Sequence, residues 1–192
     1  MAYATPAELL AQIQGAQNTD VAVLEAILKA ATEAIDNYCN RPDGFVAVET
    51  AAARVYANSG KPYLEIDECI AVSQVEIKDS GGYTVVATDD WEPFAGDSRR
   101  PNYNRTPYTR LMLADQGQRV RVTARWGYAA TVPAVIKQAV ITQATRWYKR
   151  AESGWADATG NADFGMMLFR RVLDPDVEMM LKDGRFIRPS IG

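Results

Sequence analysis

The side chains best suited to chemistry in this 192-residue chain are its carboxylates, because histidine is absent and only two cysteines, Cys39 and Cys69, occur. Without imidazole there is no His-based triad, no His-ligated zinc or haem, and no imidazole pH switch. Two cysteines build neither a four-thiolate zinc site nor a disulfide framework. Cys39 closes a helix and Cys69 sits beside an acidic strand, so both are expected to be buried small residues, reduced in a cytoplasm. The acids cluster twice, as Glu65, Asp67 and Glu68 and as Asp89, Asp90 and Glu92. Paired carboxylates can hold Mg²⁺ or exchange protons. Glu65 and Asp67, however, alternate with Leu64 and Ile66, as the wet face of a strand does, and no second acidic set stands at a spacing that would complete a site. Gly154, Gly160 and Gly165 follow a helix rather than a strand and precede no Lys-Ser or Lys-Thr, so neither a phosphate-binding P-loop nor a dinucleotide fingerprint fits. The chain is expected to be no enzyme and to need no metal or cofactor.

Charge is unevenly placed. The formal net charge is −3 and the isoelectric point about 5.1. Residues 1–98 nevertheless sum to −11 and residues 99–171 to +9. The basic half could touch nucleic acid, the two halves could attract each other within one fold, or an acidic face of one copy could meet a basic face of the next. The helices able to enter a DNA groove carry Glu25, Glu33 and Asp36, which argues against sequence-specific reading. Non-specific contact remains open, through Arg99, Arg100 and Arg105 beside Tyr103 and Tyr108 in a polar loop over 95–108.

The elements that position these residues follow from periodicity. Thr5-Pro6-Ala7-Glu8 is a capping box with proline at the first helical position, followed by Leu9, Leu10 and Ile13. Asp20 caps a second helix to Cys39, whose Leu24, Ile27, Leu28, Ala31, Ile35 and Tyr38 recur at helical spacing. Residues 45–126 lose that period and predict a mostly antiparallel β-rich insertion. Its strands are Arg54–Tyr56, Tyr63–Ile66, a Val72–Lys78 and Tyr83–Ala87 hairpin around Asp79-Ser80-Gly81-Gly82, Arg110–Leu113, and Arg119–Arg125. In the last of these, arginines alternate with Val120, Val122 and Ala124, giving one basic and one apolar face. Gly127 predicts a tight turn. A third helix spans 133–152 with Ile136, Val140, Gln143 and Trp147 in one stripe, and Asp174-Pro175 opens a short last helix ended by Gly184. The expected fold is a single α+β domain over 1–192, a helical bundle carrying the β-region.

Two further segments are candidates for contact with a partner. Residues 153–165 read as a Gly- and Asp-containing loop, but Trp155, Phe164, Met166, Met167 and Phe169 in and after it are too apolar for an idle linker and suit burial against a partner or neighbouring copy. The tail over 185–192, with Arg185, Phe186, Ile187, Arg188, Pro189 and Ile191, has the make-up of a docking peptide. No apolar run reaches the ~18 residues of a membrane span, and the opening Met1-Ala2-Tyr3-Ala4 lacks the basic and apolar regions of a secretory signal, so membrane association and secretion are not expected.

Several segments together resemble the phage head–tail connector family, the neck adaptor or head-completion proteins of long-tailed phages. They are Tyr3-Ala4-Thr5-Pro6-Ala7-Glu8-Leu9; the helix from Leu24-Glu25-Ala26-Ile27 to Asn40-Arg41; Val120-Arg121-Val122-Thr123-Ala124-Arg125-Trp126-Gly127-Tyr128 running into Val132-Pro133 and Ile136-Lys137-Gln138-Ala139; Arg146-Trp147-Tyr148-Lys149-Arg150; and Asp174-Pro175-Asp176-Val177. Their order, with a β-region between the second helix and the Trp-Gly-Tyr turn, matches the family's layout over about half the chain. The resemblance implies a virion protein of the neck, made in the host bacterial cytoplasm. It implies a ring, usually of twelve copies, docked beneath the portal protein, extending the DNA channel and offering a platform to a stopper or tail-completion protein. It further implies that residues 185–191 reach the portal, that passing DNA is touched without being held, and that no catalysis occurs. Opposite charges on the two faces of each copy would then close the ring, and assembly would weaken with salt. The competing class is a DNA-associated accessory or packaging protein that uses the basic 99–171 half.

Overall fold

A computed structural model describes residues 2–13, 20–58, 60–95, 105–114, 119–152, 158–161, 165–168 and 173–188. The fold is α+β, and the chain divides into two units, one formed by Met1–Pro42 with Val132–Gly192 and the other by Asp43–Thr131.

The first unit is helical. It contains α1 (Pro6–Leu10), α2 (Val21–Tyr38), α3 (Ala134–Glu152) and α4 (Pro175–Asp183), with a hairpin of β7 (Ala158–Asn161) and β8 (Gly165–Leu168) in chain order before α4. Each start signal read from the sequence is built as a hydrogen bond. The Thr5 hydroxyl accepts from the Glu8 N–H while the Thr5 N–H donates to the Glu8 carboxylate, Asp20 accepts from the Ala22 N–H, and Asp174 accepts from the Asp176 N–H. Caps of this kind satisfy donors that the first helical turn leaves orphaned. The helices α2 and α3 pack on each other, α1 touches both, and α4 packs on α3. Leu9, Leu24, Leu28, Ile35, Ile136, Val140, Val177 and Leu181 are fully enclosed among them. The region 153–165 was expected to be loop, but it contributes strand β7 and pairs antiparallel with β8.

The second unit is an antiparallel sheet of β1 (Ala52–Ala57), β2 (Tyr63–Asp79), β3 (Gly82–Val85), β4 (Trp91–Phe94), β5 (Tyr108–Leu113) and β6 (Arg119–Trp126). Strand order is β1-β6-β2-β5-β4, with β3 also paired to β2. The runs over 63–66 and 72–78, expected to be separate strands, belong to one 17-residue strand. Its register shifts between Glu65 and Cys69, between Cys69 and Ala71, and between Val72 and Gln74. Each irregularity changes which side chains face inward, so the period-2 pattern breaks and one strand reads as two. The short strand β4, preceded by one 3₁₀ turn over Thr88–Asp90, carries only Trp91 and Phe94 as strand-like residues and left no alternation to read. One face of the sheet packs Leu64, Ile66, Cys69, Val75, Ile77, Leu111, Val120, Val122, Ala124 and Trp126 into a core.

Candidate interaction surfaces

The acidic residues of β2 are spoken for by structure. Asp67 accepts from Tyr56 Oη at 2.8 Å and from Arg54 at 2.9 Å, and Arg54 also bridges to Asp43 at 3.0 Å. The Arg54 guanidinium lies 4.7 Å from the centroid of the Trp126 ring, whose Nε1–H donates to the Ala52 carbonyl at 2.7 Å. Burial pushes the Tyr56 phenol up and the Cys69 thiol up to about 12, so both stay protonated. Cys39 and Cys69 are both buried, as expected. Glu65 pairs with Arg110 across the strands. Among the described residues no group of three or more His, Cys, Asp or Glu is placed to hold a metal ion. Asp67 and its neighbours therefore form a rim that fixes β1 to β2.

Part of the charge asymmetry is resolved within each unit. In the helical unit, Lys137 pairs with Glu8 and Arg146 with Asp174; in the sheet, Arg110 pairs with Glu65 and Arg121 with Glu76. Three of these pairs join the basic stretch 99–171 to the acidic stretch 1–98. The Lys137 ammonium and the Thr5 N–H hold the Glu8 carboxyl below its usual range, and the Arg121 guanidinium does the same to Glu76. Attraction inside the fold thus consumes charges that an inter-copy interface would otherwise use.

The tail is docked on its own chain over its described part. Phe186 is buried, its N–H donating to the Leu181 carbonyl, and its ring occupies the space where a Cβ on Gly184 would sit, 2.3 Å away. Arg188 donates its N–H to the Cys39 carbonyl at 3.0 Å, and Asn40 Nδ2 donates to the Arg188 carbonyl at 2.8 Å. The tail therefore clamps the C-terminus of α2, leaving Arg185 exposed and Ile187 and Arg188 half-buried. Arg105 is exposed at the start of the segment leading into β5. Arg99, Arg100, Trp155, Phe164, Phe169, Pro189 and Ile191 lie outside the described residues, and Met166 and Met167 are placed only as backbone of β8.

Two further surfaces stand out, the first not singled out by sequence reasoning and the second the basic strand face expected from it. In the helical unit, Ala22, Val23, Ala26, Ile27 and Ala30 of α2 line an apolar groove with Trp147, Arg150 and Ala151 of α3. Ile27 and Trp147, both assigned to core stripes from their spacing, are half-buried here. The signal available in the sequence was the run of small residues on the α2 face opposite Leu24 and Leu28. In the sheet, the outward face of β6 presents Arg119, Arg121, Thr123 and Arg125 while Val120, Val122, Ala124 and Trp126 point into the core. No described helix is long and apolar enough to cross a membrane.

No protein-family model and no curated protein matches the chain. Solved structures do. A chain in a structure described as the neck of an empty gene transfer agent particle computed with C6 symmetry superposes with a TM-score of 0.56 at 19% identity, covering 97% of this chain and 91% of that one. A chain in a structure described as the virion of a native gene transfer agent particle gives a TM-score of 0.53 at 20% identity, covering 98% and 95%. Both likenesses are of fold, and both span nearly the whole length of each chain.

Proposed function

We propose that this protein is a structural component of a virion neck, a head-to-tail adaptor that forms a ring beneath the portal, extends the DNA channel and supports the stopper or tail. The observation that carries the reading is the end-to-end fold likeness to chains of gene transfer agent necks and virions, covering 97% and 98% of this sequence. A ring is supported by the C6 symmetry of the neck structure; twelve copies is the number implied by the connector resemblance. A closed ring uses a heterologous interface, with two different faces of each copy in contact. Both the helical groove of α2 and α3 and the apolar residues around 155–169 suit such contacts. The pairs Lys137–Glu8, Arg110–Glu65 and Arg121–Glu76 take three cations and three carboxylates from the opposite charge available to close the ring, and apolar area adds to what remains.

The portal contact is assigned to the tail. With Phe186 built into the helical unit, the side chains of the described part left at least partly exposed for such a contact are Arg185 and Ile187. The alternative of an accessory protein that binds DNA through the whole 99–171 half draws less support, since Arg110, Arg121, Lys137 and Arg146 of that half are matched by carboxylates.

Immunogold electron microscopy of particles from a producing lysate tests the reading. Label confined to the head–tail junction is expected. Unlabelled particles with the protein left in the soluble fraction would refute it.

A further inference from the structure

We propose that the outward face of β6, together with Lys78 of β2, is a contact surface for the phosphate backbone of duplex DNA. The cationic surface stands on geometry alone; the choice of duplex DNA as its polyanion rests on the neck reading. Alternation in β6 puts Arg119, Arg121 and Arg125 on one side of the sheet. Successive outward residues of a strand are ~6.7 Å apart, so this row extends over ~20 Å, a length along which duplex DNA presents about twelve phosphate charges.

The neighbours of the row leave it approachable. On β1, Ala57 lies opposite Arg119, Val55 opposite Arg121 and Ala53 opposite Thr123, so the flank on that side consists of short, uncharged side chains. On the other side, Gln74 lies opposite Thr123 and Ala71 opposite Arg125. The carboxylate opposite the row is Glu76, and Arg121 occupies it with two nitrogens while its guanidinium rests 4.1 Å from the centroid of the Tyr83 ring. Lys78 and Arg119 share an open cleft of about 520 Å³ with Asp79 and Ser80. Asp79, engaged by the Gly81 N–H at 2.7 Å and the Thr84 hydroxyl at 2.9 Å, keeps its negative charge, so Lys78 and Arg119 leave the cleft a net single positive charge. Arg125 is steadied by its Nε–H on the Val48 carbonyl at 3.2 Å and keeps its other donors for a ligand. Lys78, Arg119 and Arg125 thus supply three positions for phosphate oxygens on a protein whose overall charge is negative. Such a surface favours weak contact without base reading, compatible with DNA that must slide.

The test is fluorescence anisotropy of a labelled random-sequence duplex of about 25 base pairs titrated with the full-length protein across a salt series. Three phosphate contacts predict a slope of log K against log salt near −2.7, which Lys78→Gln with Arg119→Gln should reduce to about −0.9 with at least about a tenfold loss of affinity at low salt. Arg125→Gln alone should reduce the slope by about 0.9. Lys29→Gln with Lys149→Gln, on the helical unit, should leave the slope unchanged, and circular dichroism checks that every variant keeps the fold. No association by the wild type at low salt, an unchanged slope in the β-face variants, or an equal loss in the helical pair would each overturn the assignment. Gold label absent from virions, with the slope and its loss intact, would instead refute the neck reading and leave the surface standing.

Discussion

Replacing Gly127 by alanine should cost the sheet unit far more than the same change at Gly82, although the two glycines have nearly the same backbone conformation. Gly127 has φ +135° and Gly82 φ +133°, both in the region that L-residues avoid. They differ in surroundings. A Cβ on Gly82 would meet nothing within 4 Å, whereas one on Gly127 would lie 2.3 Å from Ala47 Cα and 2.7 Å from Ala47 N. Ala47 cannot retreat, because its N–H donates to the Ala129 carbonyl at 2.8 Å, and the flanking Val48 N–H donates to the Trp126 carbonyl at 2.9 Å. Gly127 itself donates to the Glu68 carbonyl at 2.8 Å, so relieving the clash breaks at least one of three backbone bonds. The conformational strain at either site is about 1–2 kcal/mol. Overpacking at Gly127 adds about 1–3 kcal/mol and a lost backbone bond about 1 kcal/mol more. The expected destabilisation is therefore about 3–6 kcal/mol for Gly127→Ala against about 1–2 kcal/mol for Gly82→Ala. Urea unfolding followed by tryptophan fluorescence, with Trp91 and Trp126 reporting on the sheet, measures both. Equal losses for the two variants would show that the turn at Ala47 yields freely and would refute the steric argument.

Other expectations concern the helical unit and the response to pH. Arg146→Ala leaves the Asp174 carboxylate, 2% exposed, without its cation and should cost about 3–5 kcal/mol; adding Asp174→Asn should recover part of that in a double-mutant cycle on thermal melts. Additive losses would mean the pair is not coupled. Phe186→Ala should cost about 3–4 kcal/mol by emptying the site beside Gly184, while Arg185→Ala with Ile187→Ala should leave the melting temperature within a few degrees of wild type and weaken portal pull-down. Retained portal capture would remove the tail from the interface. Glu8, Glu76 and Asp79 have carboxyls held below their usual range, by Lys137, by Arg121 and by the Thr84 hydroxyl respectively. Their stabilisation is present above the unfolded carboxylate pKa and is lost as pH falls through the lower folded values. Asp36 runs the other way. Burial raises its pKa despite the Tyr3 Oη–H bond at 2.8 Å, so ionising it costs stability that is regained as pH falls through its raised value. Asp36→Asn should therefore stabilise the helical unit at neutral pH and make its stability fall more steeply on acidification; a variant less stable than wild type at pH 7 would contradict this.

What could be read from the residues in order was whatever depends on near neighbours in the chain. The caps at Thr5, Asp20 and Asp174 need only a side chain and an N–H two or three residues on, and they stand where the sequence placed them. The alternation of β6 and the long amphipathic α2 are likewise properties of one segment with one period. The α+β class followed from the switch of period between them. Tertiary structure decided where the chain's own contacts go. Gln143 stood oddly within an apolar stripe of α3; it is enclosed because its Oε1 accepts the Asp174 N–H at 2.9 Å, a partner 31 residues away. Ile27 and Trp147 had core spacing, but periodicity specifies a face and not what covers it, and the folded unit leaves them lining a groove. The apolar, basic tail looked free to bind others, yet Phe186 is held by Leu181 and Gly184 and Arg188 by Cys39 and Asn40. Three pairs join the two charged halves of the sequence within the units, Lys137–Glu8, Arg110–Glu65 and Arg121–Glu76, because ion pairs form between whichever residues the strands and helices bring within reach. Which cations remain for a partner is thus a property of strand register, and register is set by long-range pairing that no local pattern encodes.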